Sequence, residues 1–88
     1  MEVKILKDEK DSLLVEMDNQ TIAEILRVYL NKDDSVSFAA WKREHPEKPV
    51  ILDIKTKGKS AKKALEDAAE KIEKDTGKIL NDFKKAVK

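Results

Sequence analysis

The 88-residue sequence predicts an α+β domain, a two-layer ββαββα sandwich with a four-stranded antiparallel sheet and both helices on one face. Three observations predict it. Apolar residues alternate with polar ones in four short segments, as in half-buried strands. Two further segments carry apolar residues at helical spacing. The turns between segments are short, so consecutive elements pack as neighbours within a single domain, 1–88.

Residues 2–7 read as the first strand, with Val3 and Ile5 alternating with charges. The charged run Asp8 to Asp11 predicts a tight turn. Residues 12–17 form a second strand, with Leu13, Val15 and Met17 on one face. Asp18, Asn19 and Gln20 punctuate the chain. A helix follows over 21–31, whose apolar positions Ile22, Ile25, Leu26, Tyr29 and Leu30 make one stripe. Asn31 to Asp34 end it. A third strand spans 36–43, and the stretch Glu44-His45-Pro46-Glu47-Lys48-Pro49 connects it to a fourth strand over 50–57, with Leu52 and Ile54 facing the core.

After the turn Lys57-Gly58-Lys59, Ser60 is suited to cap a helix. Leu65, Ile72, Ile79 and Ala86 recur every seven residues, and Ala69, Thr76 and Phe83 repeat four positions behind them. One long helix over 61–87 is expected, running through Gly77 because the stripe keeps its phase there. Such a helix would be roughly 40 Å long, against about 23 Å for a seven-residue strand. Its second half, with Ile79, Leu80, Phe83 and Val87, would outrun the sheet and ask for a partner.

Composition excludes several functions. The chain has no cysteine, hence no disulfide framework and no thiolate metal site. Charged residues are 42% of the chain, yet they cancel to a net charge of +1. A sequence-independent nucleic-acid binder carries a larger positive excess. No apolar run approaches a membrane span, and the N-terminus shows no signal peptide, so a cytoplasmic protein is expected. His45 lacks the companions of a catalytic or metal-binding histidine. Asp33 and Asp34 are explained by a helix-ending turn rather than by a magnesium site. Lys55, Lys57, Lys59, Lys62 and Lys63 cluster without interleaved aromatics and read as a solvated face. No catalytic, cofactor-binding or metal residue is assigned.

The segment from Gln20 to Arg27 resembles the His-Thr-Leu-Gly-Asn-Leu-Leu-Arg stretch of archaeal RNA polymerase subunit L and its eukaryotic eleventh-subunit counterparts. Phe38 to Pro46 resembles the Phe-Ala-Gly/Ala-Tyr-Lys-x-x-His-Pro of that family. Ile54 to Lys59, Ala64-Leu65, Ala68-Ala69 and the opening Met-Glu-Val-Lys-Ile-Leu-Lys are also similar, so the resemblance spans the chain in order. Gln20, Ala23 and Glu24 depart from the motif's histidine, glycine and asparagine. The resemblance implies a fold related to the bacterial alpha N-terminal dimerisation domain and no activity of its own. It implies a heterodimer with the D-type RNA polymerase subunit, on which the large catalytic subunits assemble for DNA-templated transcription. On this reading the partner interface comprises Thr21, Ile25, Leu26, Tyr29, Ile72, Ile79, Leu80, Phe83 and Val87. Two other classes compete: a small homodimeric nucleic-acid-binding α/β protein, and an enzyme of the pterin-dehydratase type, which needs more histidines than the one present.

Overall fold

The computed structural model describes residues 3–77. Its elements run β1 (Val3–Glu9), β2 (Ser12–Met17), α1 (Gln20–Leu30), β3 (Val36–Lys42), β4 (Val50–Thr56) and α2 (Ala61–Thr76), the expected ββαββα order. All strand pairings are antiparallel, in the spatial order β1-β2-β4-β3. The Lys10-Asp11 turn closes the first hairpin. Its carbonyls accept from Ala61 N–H at 2.7 Å and Thr56 N–H at 3.0 Å, fastening the hairpin to the end of β4 and the start of α2. β1 continues through Asp8 and Glu9 because an edge strand can pair its backbone while both side chains stay in water.

Register explains the core. Leu13 lies opposite Ile54, Val15 opposite Leu52, and Met17 opposite Val50, all buried on one face. Both helices pack there. α1 contributes Ala23, Leu26 and Leu30; α2 contributes Ala61, Ala64, Leu65, Ala68, Ala69 and Ile72. The alanines of α2 let its axis approach the sheet and α1 closely, and Leu65 and Ile72 fill the volume between.

Caps define the helix ends. Asn19 Oδ1 accepts from Ile22 N–H at 3.1 Å, and Ser60 Oγ accepts from Lys63 N–H at 3.1 Å. The Asn31 side-chain amide donates to Ala39 O at 3.3 Å, covering one carbonyl of the edge strand β3.

One expectation about length is overturned. α2 does not run through Gly77. It ends at Thr76, and Gly77 takes φ 72°, donating its N–H to Glu73 O at 2.8 Å. This is a left-handed C-terminal cap, which glycine adopts without the Cβ penalty. Sixteen residues make a helix of about 24 Å, which matches the strands rather than outrunning them. Heptad phase misleads at this point because it records side-chain spacing and is blind to the sign of the backbone φ. Ile79, Leu80, Phe83 and Val87 lie outside the described residues.

Candidate pairing interface

The expected partner residues separate into three groups. Leu26 and Ile72 are core, 0% and 3% exposed, and have no surface left for a partner. The core takes up the stripe on which these two lie. Thr21 is exposed, and Ile25 and Tyr29 are half-buried, so these three keep surface available. The remaining four follow Gly77 and lie outside the described residues.

Val28 is a residue that the sequence reading misses. It is 39% exposed, one of the large apolar side chains left in water. Spacing offers a signal for it, since Thr21, Ile25 and Val28 fall at i, i+4 and i+7 of one helix. With Tyr29 they give α1 a second apolar row, beside the buried row Ala23, Leu26 and Leu30.

Polar contacts flank this row. Tyr29 Oη donates to Asp75 Oδ2 at 2.9 Å, joining the last turn of α1 to the last turn of α2. The acceptor carboxylate holds the phenol proton and raises the Tyr29 pKa. Lys32 Nζ sits 5.0 Å from the Tyr29 ring centre. On the opposite flank, Arg27 Nε and Nη2 donate to the Glu24 carboxylate, which lowers the Glu24 pKa. Trp41 Nε1 reaches the same carboxylate at 3.5 Å. Arg43 Nη1 donates to Gln20 Oε1 at 3.1 Å, while its Nε donates to Lys48 O at 2.8 Å across the β3–β4 loop. Gln20 and Glu24, two of the three departures from the motif, thus each have a partner on β3 or just after it.

The other candidates have partners within the chain. His45 Nδ1 accepts from Glu47 N–H at 3.2 Å and shapes an exposed loop. Asp33 accepts from Lys59 Nζ and from Ser35 N–H, both at 2.8 Å, so its oxygens are already engaged. Lys59 also meets Asp67 at 2.5 Å, Lys63 meets Asp67 at 3.0 Å, Lys62 meets Asp8 at 3.5 Å, and Lys55 meets Asp53 at 3.6 Å. Most of the lysine cluster is therefore neutralised by carboxylates of its own chain. The Lys59 ammonium, with the Ser35 N–H, lowers the Asp33 pKa. Desolvation pushes Asp67 upward, but Lys59 and Lys63 outweigh it and lower its pKa. No group of three or more His, Asp or Glu able to hold a metal occurs among the described residues. Nor is any helix among them long and apolar enough to cross a membrane.

The domain is thus a small antiparallel sheet backed by two helices, with an apolar row left on the outer side of the first helix. The model of the RNA polymerase Rpb3/Rpb11 dimerisation domain matches residues 12–82. The chain belongs to this family. It is 38% identical over 88 residues to the DNA-directed RNA polymerase subunit Rpo11 of Sulfurisphaera tokodaii, covering 96% of this chain and 95% of that one. Identity to Rpo11 of Pyrococcus horikoshii is 36% over 95 residues, covering 100% and 99%. The fold is similar to a solved Thermoplasma acidophilum protein, DNA-directed RNA polymerase subunit L, with a TM-score of 0.75 at 24% identity, covering 94% and 85%. The family match spans both helices, the sheet from β2 onward, and residues beyond Gly77.

Proposed function

We propose that this chain is a non-catalytic assembly subunit of an archaeal-type DNA-directed RNA polymerase, acting in the cytoplasm. It pairs through the helical side with an Rpb3-type subunit, the D-type subunit of archaeal polymerases. The heterodimer then serves as the platform for the large catalytic subunits. The observation that carries this reading is the apolar row Thr21, Ile25, Val28 and Tyr29, left accessible on α1 in a chain matched by a dimerisation-domain family. The core residues behind the row are already satisfied, so a partner helix would gain burial there without disturbing the sheet. Ile79, Leu80, Phe83 and Val87 extend the proposed interface by sequence.

The test is direct mixing of the purified chain with the purified Rpb3-type subunit. A one-to-one complex by light scattering, binding at nanomolar to micromolar concentration, is the expected result. Two free species, or a homodimer of this chain that ignores the Rpb3-type subunit, would overturn the reading. The nucleic-acid alternative predicts steeply salt-dependent DNA binding, and the internal pairing of Lys59, Lys62 and Lys63 argues against it.

A further inference from the structure

The carboxylate of Asp75 stands where helix electrostatics disfavour it. It lies in the last turn of α2, just before Thr76 and the Gly77 cap, and the C-terminal end of a helix carries partial negative charge. Its partner there belongs to the other helix. The Tyr29 hydroxyl, 46 positions away in sequence, donates to Asp75 Oδ2 at 2.9 Å. The Tyr29 side chain packs in part against the core, and Lys32 Nζ sits 5.0 Å from its ring centre, within range of a cation–π contact. The hydroxyl is thus engaged by α2 and part of the ring by the core and Lys32, while the rest of the ring continues the apolar row of α1.

In the lone chain this hydrogen bond stands in water, since Asp75 is exposed. Water can replace either partner, so the bond contributes little to the fold. Covering it changes its worth. Where a partner excludes water, the hydroxyl and the carboxylate have only each other, and an acceptor left there without its donor is costly. Position brings the bond within reach of such a partner. Ile25 and Tyr29 are i, i+4 neighbours on α1, so a helix laid along the row at Ile25 meets the Tyr29–Asp75 bond about 6 Å further along the axis.

We propose that Tyr29 and Asp75 act as one unit in pairing: Asp75 is a positioning residue that holds the Tyr29 hydroxyl, and the Rpb3-type subunit closes over the bond and buries it together with the row. The proposal deepens the assembly-subunit reading and rests on it. It adds a polar determinant, at the seam between the two helices, to a surface otherwise defined by apolar residues. It also gives α2 a described residue in the interface, Asp75, where Ile72 is core.

The experiment takes full-length variants and measures both the Kd for the purified Rpb3-type subunit and the thermal midpoint of the lone chain. Tyr29→Phe keeps the ring and removes the hydroxyl, Asp75→Ala removes the acceptor, and Asp75→Asn keeps a carbonyl acceptor. Tyr29→Phe and Asp75→Ala are each expected to weaken pairing about tenfold, with the lone-chain midpoint nearly unchanged. Asp75→Asn is expected to regain most of the affinity that Asp75→Ala loses. The double variant Tyr29→Phe/Asp75→Ala is expected to pair no more weakly than either single one, because neither group is then left without its partner. If wild type pairs but Tyr29→Phe pairs within about twofold of it, the proposal is overturned while the assembly-subunit reading stands. A fall in the lone-chain midpoint with an unchanged Kd would make the bond merely structural and overturn it. So would losses that add to about a hundredfold in the double variant, since the two groups would then act separately. Asp75→Asn as weak as Asp75→Ala would make charge rather than the acceptor the determinant, and overturn it as well. Failure of wild type to pair at all brings down the assembly-subunit reading, and this proposal with it.

Discussion

The two helices of this domain use their apolar residues differently. α2 buries six, four of them alanines, and its described length ends level with the sheet at the Gly77 cap. α1 is shorter and buries three, yet it also carries Ile22, Ile25, Val28 and Tyr29 on flanks that the core only partly covers. A helix of small residues can be taken up entirely by its own fold. A helix with large residues around more than one face has apolar surface left over, and that is where a partner gains most.

This contrast would break if the buried row of α1 mattered less to the lone chain than its exposed row does. Leu26→Ala should cost the isolated domain about 3 kcal/mol, since Leu26 is fully buried and its loss leaves a cavity. In a chain of this size that is a large share of the total stability. Urea unfolding of the isolated chain measures it, and a cost under about 1 kcal/mol would mean that α1 is loosely docked.

Much of this architecture is legible in the residues. The alternation of Leu13, Val15 and Met17 predicts the β2 core face, and Leu52 with Ile54 predicts that of β4. Other features are hidden for physical reasons. The irregularity between Val36 and Phe38 breaks period two, so Val36 packs on the core while Phe38 and Ala40 turn outward. Simple alternation from Val36 cannot show that. The end of α2 depends on a left-handed φ at Gly77, which periodicity does not encode. Leu26 and Ile25 are neighbours in one apolar stripe, and spacing alone does not say which of them the sheet covers. Contacts distant in sequence, such as Tyr29 to Asp75 and Lys59 to Asp33, have no local signal.

The Gly77 cap fixes where α2 stops. Gly77→Ala should destabilise the lone chain by about 1 kcal/mol, because φ 72° is strained for alanine although its Cβ would meet nothing within 4 Å. An increase in stability on this substitution would show that the cap is dispensable.

The ion network joining the α1–β3 turn to α2 predicts a pH dependence. Asp33 and Asp67 are both lowered in the folded state. A depressed folded-state pKa gives stability that is fully present above the ordinary carboxylate value of about 4. That stability is lost as pH falls through the lower folded-state values. Lys59→Met should therefore lower stability at pH 7 by about 1 kcal/mol and flatten the fall in acid. Thermal midpoints of both proteins between pH 7 and pH 2 test this; parallel curves would contradict it. The smallest effect belongs to His45→Ala, which should leave folding and pairing nearly unchanged.

If α1 divides its apolar residues between the core and a partner, two adjacent positions must behave oppositely. The most direct measurement is made on Ile25→Ala, one position from Leu26, by taking both the Kd for the Rpb3-type subunit and the thermal midpoint of the lone chain. Ile25→Ala should weaken the complex by about 2 kcal/mol, roughly thirtyfold in Kd, while lowering the lone-chain midpoint far less than Leu26→Ala does. A Kd within twofold of wild type, with a lone-chain loss equal to that of Leu26→Ala, would place Ile25 in the core and contradict this division.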